Sequence, residues 1–145
     1  MNNTDISPQF ILIAATVAEL ARDSNTREVW LIGSRANGIG RSDSDWDLLV
    51  FSDAEIVPIL KERTGVDVLR VGPTGKVLLD GQPECNTLKF ADFQWVQLSE
   101  CESSYVGKKL TEFHGEDILD NETPRVIRSK LKALLVWSRG NKSSG

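Results

Sequence analysis

The apolar residues near the start of the chain recur at the spacing of an amphipathic helix. Between positions 8 and 22 they repeat every three or four residues, which places them on one helical face. Ser7 suits an N-cap, and Pro8 suits the first helical position, where its missing N–H costs nothing. The pattern therefore predicts a helix that ends near Arg22. The residues of its apolar face are Phe10, Ile13, Val17 and Leu20.

Short apolar runs, rich in β-branched and aromatic residues, follow this helix and predict strands. The predicted strands are 28–32, 45–51, 66–71, 76–79 and 87–98. Helices are predicted at 53–63, where Pro58 would bend or shift the helix, and at about 123–139, between Pro124 and Gly140. The remaining segments are interpreted as a loop over 35–44, mixed loop and helix over 99–121, and a flexible tail over 141–145.

These elements predict a single α+β domain over residues 1–140, with a mixed β-sheet backed by helices and a core at 28–98. A chain of 145 residues buries enough apolar surface to fold without disulfides. The four tryptophans are expected in the hydrophobic core of the domain, although any of them could instead stack on a base. They are Trp30, Trp46, Trp95 and Trp137.

Composition narrows the functional classes. No apolar run of about 18 residues or secretory signal pattern is visible, so no membrane contact is expected. Cys85 and Cys101 lack metal-ligand spacing, which favours reduced thiols in a cytoplasmic protein. The net charge of −4 makes nucleic-acid binding unlikely. All 21 acidic residues precede Thr123, whereas six of the 17 basic residues follow it, so the predicted last helix is a basic surface.

The strand predicted at 45–51 begins with two acidic residues, although the rest of it is apolar. Asp45 and Asp47 are two residues apart, so strand geometry places both carboxylates on one face, about 7 Å apart along the backbone. Two like charges on one face of a buried strand require a cation between them. Carboxylate oxygens select hard cations such as Mg²⁺.

The preceding strand ends in Gly33-Ser34, followed by a polar, glycine-containing loop. Free backbone N–H groups and a serine hydroxyl at a strand end can hold a phosphate. Other phosphate and metal motifs fail on spacing. An EF-hand that began at Asp43 would have Leu48 at its glycine position and Ala54 at its final glutamate. The P-loop and dinucleotide fingerprints also fail to fit.

The run from Val29 to Phe51 resembles the signature of the DNA polymerase β-type nucleotidyltransferases, particularly the prokaryotic minimal nucleotidyltransferases. Their pattern is a strand, G-S-x-A-R-G, five residues, and S-D-x-D followed by an apolar strand; this chain has GSRANG and SDWD at the same spacing. One position departs from it, because Asn37 stands where Arg is usual. The resemblance implies that the nucleotide is bound by Gly33, Ser34, Arg35 and Ser44.

The resemblance also implies a third carboxylate on a neighbouring strand. Asp67 fits, because it is a lone acid at the start of an apolar strand after the predicted 53–63 helix, a helix-to-strand placement that matches the small members of the family. Asp92 is the competing residue, since it also interrupts a predicted strand. We favour Asp67, and expect Asp45, Asp47 and Asp67 to be both the metal ligands and the catalytic residues.

The activity implied by this resemblance is Mg²⁺-dependent nucleotidyl transfer. Two Mg²⁺ ions would assist attack of a hydroxyl on the α-phosphorus of ATP or another nucleoside triphosphate, with pyrophosphate leaving. The implied acceptor is a helical partner protein, as for antitoxin-type members, or a small molecule such as an antibiotic. A different class also stays open, a catalytically silent nucleotide- or partner-binding module, and so does a homo-oligomer.

Overall fold

The computed structural model describes residues 8–38, 45–82, 89–110 and 126–139. A 3₁₀ helix at Pro8–Ile13 leads into α1 at Ala14–Ala21, and a second 3₁₀ helix lies at Phe90–Phe93. The strands are β1 (Thr26–Ile32), β2 (Trp46–Ser52), β3 (Val66–Val71), β4 (Val77–Leu79), β5 (Val96–Gln97), β6 (Glu102–Leu110) and β7 (Val126–Ser138).

All seven strands form one sheet in the order β4-β3-β2-β1-β7-β6-β5. Strands β2 and β3 are parallel, and every other neighbouring pair is antiparallel. The sheet is therefore mixed, and with α1 on one face it confirms the predicted single α+β domain. No helix in the described parts of the chain is long and apolar enough to cross a membrane.

The two faces of the sheet bury different side chains. On the helix face, α1 covers alternate residues of the central strands, including Leu31, Leu48 and Val50. Four predicted helix residues complete this cluster, each no more than 5% exposed: Phe10, Ile13, Val17 and Leu20. The other face, here called the aromatic face, carries Trp30 and Phe51 under the rings of Phe90, Phe93 and Trp95.

The tryptophans lie on both faces. Trp30 and Trp137 are buried in the core, at 0% and 4% exposed. Trp46 packs at the edge of the helix-face cluster, and Trp95 lies within the aromatic face. The expectation that tryptophans belong to the core is confirmed for Trp30 and Trp137.

The predicted C-terminal helix at 123–139 is wrong, because residues 126–138 form the central strand β7. Strand β7 lies between β1 and β6, so both of its edges are hydrogen-bonded. Its residues 133–137 pack on both faces of the sheet, with Val136 and Trp137 on the helix face and Ala133 on the aromatic face. A strand buried on both sides shows a continuous apolar run instead of alternation, and such a run also fits a helical stripe. The basic residues in this run therefore lie on a strand. The predicted tail 141–145 and the Ser7 cap lie outside the described residues.

The predicted helix at 53–63 is also wrong. These residues form an irregular segment in which Ile56 is buried while Val57 and Leu60 are 67% and 72% exposed. Pro58, in the middle of the segment, lacks the backbone N–H that a helix interior needs. With only one buried apolar residue, the segment also lacks the apolar face that stabilises a helix.

Two further segments differ from prediction. Within 87–98, the part from residue 89 is a 3₁₀ helix and the two-residue strand β5, because Gln94 adopts φ = 48° and interrupts the extended chain. Residues 102–110, predicted as mixed loop and helix, form β6, which pairs with β7 along its whole length.

A buried ion-pair network fixes the irregular segment to the sheet. Asp80 accepts two hydrogen bonds from Arg70 of β3, at 2.8 and 3.1 Å, and another from Arg63. Arg63 and Lys61 also pair with Glu19 of α1. The Asp80 side chain is only 3% exposed, so its charge depends on these partners. The network holds β3 beside α1.

Candidate active site

The β1 strand ends in a tight turn at Gly33. Gly33 has φ = 78°, a conformation that residues with side chains rarely adopt. Ala36 N–H donates to the Gly33 carbonyl at 3.1 Å, and Asn37 N–H donates to the Ser34 carbonyl at 3.1 Å. Ala36 is buried in the helix-face core. Gly33 and Ala36 of the motif therefore form a turn that is anchored to the core at the end of β1.

Gly33 also allows Asp47 to approach the turn closely. A Cβ atom placed on Gly33 would overlap Oδ2 of Asp47 and would lie 3.2 Å from its Cγ. Ile32, the residue before Gly33, is opposite Asp47 in the antiparallel β1–β2 ladder. The signature glycine and the signature aspartate are therefore in direct contact.

Asp47 and Asp67 are directly opposite each other in the parallel β2–β3 ladder. Each lies two residues before an aromatic-face residue, Leu49 in β2 and Leu69 in β3, so both belong to that face. The Asp67 carboxyl lies close enough to that of Asp47 to raise the pKa of Asp47. The structure thus brings the favoured third carboxylate next to the second.

This arrangement makes the Asp47 carboxyl harder to ionise. Burial raises its pKa from 3.8 to about 6, and the nearby carboxyl of Asp67 and the charge of Asp45 act in the same direction. A proton shared between two carboxyl groups relieves their repulsion. A bound cation would relieve it as well.

Asp45 immediately precedes β2 and is exposed. It lies two residues before Asp47, with Trp46 between them on the helix face, so it belongs to the same side as Asp47. Asp92 lies elsewhere, on the exposed side of the 3₁₀ helix at Phe90–Phe93. The register of β2 and β3 thus groups Asp67, and not Asp92, with Asp47.

The remaining predicted nucleotide-binding residues have different outcomes. Ser34 lies in the turn directly after Gly33. The guanidinium of Arg35 lies 4.5 Å from the ring centre of Trp46, whose side chain packs against the helix-face cluster. Ser44 and Arg41, an alternative source of positive charge, lie outside the described residues.

Asn37, the one departure from the motif, makes three hydrogen bonds. Its Nδ2 donates to the Gly33 carbonyl at 2.8 Å and to the Lys132 carbonyl at 3.0 Å. Its Oδ1 accepts from Lys132 N–H at 2.8 Å. Asn37 therefore ties the turn to β7.

Tyr105 is a site residue that the sequence did not indicate. Its hydroxyl accepts a hydrogen bond from Gly33 N–H at 2.7 Å. Burial and the charge of Asp47 raise the pKa of Tyr105 although the Gly33 bond lowers it, so the hydroxyl stays protonated. It is the one tyrosine of the chain and lies 72 residues from Gly33, with no motif around it, so only the fold reveals the contact.

The carboxylates fit a hard cation in their chemistry. Asp45, Asp47 and Asp67 offer oxygen donors on one face, and the pKa of Asp47 is raised by burial and, to a lesser extent, by the charges of Asp67 and Asp45. Among the described residues, no three acidic, cysteine or histidine side chains already converge into a complete ligand set. A triphosphate would supply further oxygens, as magnesium sites in nucleotide enzymes commonly require.

A cavity of about 200 Å³ lies beside Asp67. Its wall includes the buried Arg63–Asp80 pair, Gln82, and the helix-face residues Val66 and Val68. This space is next to the third carboxylate and does not include Asp45 or Asp47.

Comparison with known proteins agrees with this geometry. A family model described as "Nucleotidyltransferase domain" matches residues 13–106, well over half of the chain, from the end of the first 3₁₀ helix to β6. Neither a curated protein nor a solved structure shows significant similarity to the chain. The match includes the Gly33 turn and all three carboxylates, and it excludes β7. The chain belongs to the nucleotidyltransferase domain family, consistent with a minimal nucleotidyltransferase of the DNA polymerase β superfamily.

Proposed function

We propose that the protein is a Mg²⁺-dependent nucleotidyltransferase that moves AMP from ATP to a hydroxyl acceptor. The observation that carries this proposal is the contact set around Asp47. Its carboxylate lies against the Gly33 turn on one side and opposite Asp67 on the other. A phosphate-binding turn and paired carboxylates are the two parts that such a transfer requires.

In this proposal, each residue has a separate task. Gly33 and Ser34 orient the terminal phosphates. Asp45 and Asp47 would bind the Mg²⁺ ions that accompany the triphosphate. Asp67 completes the ligand set and accepts the proton of the acceptor hydroxyl. When bound, Mg²⁺ ions stabilise the charge on the attacking and leaving oxygens.

The bond changes balance without a further reactant. The acceptor oxygen forms a bond to the α-phosphorus, and the bond from that phosphorus to the bridging oxygen of the β-phosphate breaks. The proton of the acceptor moves to the Asp67 carboxylate, and pyrophosphate leaves with the bonding electron pair. The protein contributes mainly positioning and electrostatic stabilisation.

We propose a partner protein as the source of the acceptor hydroxyl. The resemblance to antitoxin-type minimal nucleotidyltransferases points to a helical partner. A small-molecule hydroxyl is the competing acceptor.

A labelling experiment tests the proposal. The protein is incubated with Mg²⁺ and either α-labelled or γ-labelled ATP, alone, with small hydroxyl compounds, and with the products of adjacent genes. We expect the α-label on the acceptor, the γ-label in pyrophosphate, and neither product with Asp45→Asn. Transfer that survives Asp45→Asn would exclude the metal assignment.

One observation favours a second candidate, a silent nucleotide-binding module. Asn37 stands where the motif usually has Arg, and its carboxamide bonds to the backbone of Gly33 and Lys132, so this position brings no positive charge to the turn. Tight Mg²⁺–ATP binding with no labelled product under any condition would support this module over the enzyme.

A further inference from the structure

Side chains hold Gly33 at both of its backbone polar groups. Its N–H donates to the Tyr105 hydroxyl at 2.7 Å, and its carbonyl accepts from Asn37 Nδ2 at 2.8 Å. Gly33 has no side chain, so these bonds and the Ala36 turn bond set its orientation. The same residue touches Asp47, so its position also determines where the Asp47 carboxylate can lie.

The Tyr105 ring has little freedom to move its hydroxyl away. Tyr105 is only 3% exposed, and its ring lies 6.2 Å from those of Phe93 and Trp95. A Cβ atom on Gly107 would lie 3.1 Å from Tyr105 Cε2 and 2.9 Å from Leu131 Cδ1. The ring therefore leans over Gly107, and the absence of a side chain there permits its orientation.

Asn37 takes the place of a missing strand residue. The β1–β7 ladder ends with the pair Leu31–Leu134, because the chain turns away at Gly33. The next open backbone groups of β7 are the N–H and carbonyl of Lys132, and the Asn37 carboxamide bonds to both. A carboxamide has the same donor and acceptor as a peptide group, so it extends the ladder by one step.

The partners that hold the turn lie on two neighbouring strands: Tyr105, which bonds to Gly33, is on β6, and Lys132, which bonds to Asn37, is on β7. Ser104, the neighbour of Tyr105, is paired with Lys132, so the two anchors lie side by side on adjacent strands. The family match ends at residue 106 and does not include β7. This chain thus uses a strand outside the matched region to hold its signature turn.

We propose that Tyr105 and Asn37 are positioning residues, which act through Gly33 to hold the Gly33–Ser34 turn against Asp47. This inference rests on the proposed function, because the turn matters through the triphosphate it orients. Neither side chain needs to touch substrate. Their effect is on the geometry of reacting groups, where a displacement of about 1 Å can reduce rate 100-fold.

The test uses the full-length variants Tyr105→Phe and Asn37→Ala with Mg²⁺–ATP and the acceptor identified by labelling. We expect kcat to fall at least about tenfold in each variant, with KM for Mg²⁺–ATP changed by less than about threefold. The Gly33 amide should exchange its hydrogen at least about tenfold faster, whereas amides within β2 keep their rates.

Ser103→Ala is the matched control for Tyr105→Phe. Ser103 is on the same strand and face as Tyr105, is fully buried, and its Oγ has no hydrogen-bond partner among the described residues. It loses a hydroxyl without losing a bond, so kcat and Gly33 exchange should match wild type. A kcat loss in the two variants that only follows the fraction of folded protein would overturn the inference.

The outcome also separates this inference from the proposed function. If Asp47→Asn abolishes transfer while Tyr105→Phe and Asn37→Ala keep wild-type kcat, the inference fails and the proposed function stands. If wild type transfers nothing, or Asp47→Asn stays active, the proposed function fails. In that case the hydrogen exchange rate of the Gly33 amide is the remaining test of the positioning role. An unchanged rate in both variants overturns it.

Discussion

The carboxylate of Asp47 lies against the backbone of Gly33, so close that a methyl group on Gly33 would overlap Asp47 Oδ2. The two residues belong to the two halves of the signature and are 14 positions apart in the chain. Their contact joins the proposed phosphate-binding turn to the proposed metal ligands. A displacement of the Gly33 turn would therefore displace the Asp47 carboxylate as well.

This contact predicts that Gly33→Ala abolishes transfer. The substitution forces Asp47 out of place and adds the strain of an alanine at φ = 78°. Gly75→Ala is the control, because Gly75 has φ = 92° and no described atom within 4 Å of an added Cβ. Both variants should lose about 1–2 kcal/mol of unfolding free energy. Only Gly33→Ala should lose transfer, by about 100-fold or more.

Urea unfolding and initial transfer rates measure the two effects. Equal loss of transfer in both glycine variants would show that backbone strain, and not the Asp47 contact, is responsible.

The raised pKa of Asp47 predicts the pH dependence of stability in the metal-free protein. Its pKa is about 6 in the folded protein and 3.8 ordinarily, so the folded state holds more protons between these values. Stability therefore falls as pH rises from about 4 to beyond 6. Asp47→Asn removes this penalty and should stabilise the protein at pH 8 by about 1–2 kcal/mol, less than the full pKa shift implies because the side chain is partly exposed to solvent.

Chemical denaturation of both proteins with a metal chelator present measures this difference. At pH 4 the Asp47 carboxyl is largely protonated in the folded state, so the difference should shrink toward zero. A destabilised Asp47→Asn protein at pH 8 would contradict the electrostatic account.

Asp67→Asn and Asp92→Asn decide which residue is the third carboxylate. Asp67 is opposite Asp47 in the β2–β3 register, whereas Asp92 lies on the 3₁₀ helix at Phe90–Phe93. Removing a metal ligand should reduce transfer by more than about 100-fold, beyond what loss of an outer-shell partner costs. Asp92→Asn should stay within about threefold of wild type. The opposite ranking would make Asp92 the ligand.

The buried Asp80 predicts a stability effect separate from the chemistry. Asp80→Asn leaves Arg63 and Arg70 without a full counter-charge in a nearly inaccessible site and should cost about 3–5 kcal/mol of unfolding free energy. Asp53→Asn is the control, because its pair with Arg27 has both side chains 57% exposed. That variant should lose at most about 1 kcal/mol. Similar losses measured by urea unfolding would show that the Asp80 network is not a principal support.

The features of the fold that could be predicted from the sequence are those with a clear local pattern of apolar residues. The strand at 66–71 matches β3 in both bounds, and the helical stripe from Phe10 to Leu20 is buried as expected. A helix-to-strand placement that matches the family favours Asp67; the described segment 53–63 is irregular and not helical, but the β2–β3 register places Asp67 opposite Asp47. These features depend on neighbours within a few residues, or on a motif whose spacing is preserved.

The parts that could not be predicted depend on distant contacts. In β7, Lys130 and Lys132 alternate with Leu131 and Ala133, but residues 133–137 are all apolar because they pack on both faces of the sheet, and an unbroken apolar run also fits a helix. Tyr105 reaches Gly33 across 72 residues, and Asn37 reaches Lys132 across 95. In the sequence Asn37 is an irregularity in a phosphate motif. In the structure its carboxamide continues a β-ladder, which explains its chemistry without a phosphate contact.

The measurement that tests the central claim most directly is Mg²⁺-dependent release of pyrophosphate from ATP with acceptor present, compared between wild type and Asp47→Asn. Asp47 joins the Gly33 turn, Asp67 and Asp45, so its carboxylate should be indispensable. We predict release by wild type that stops when Mg²⁺ is chelated and is absent in folded Asp47→Asn. Release at the wild-type rate by Asp47→Asn would contradict the account.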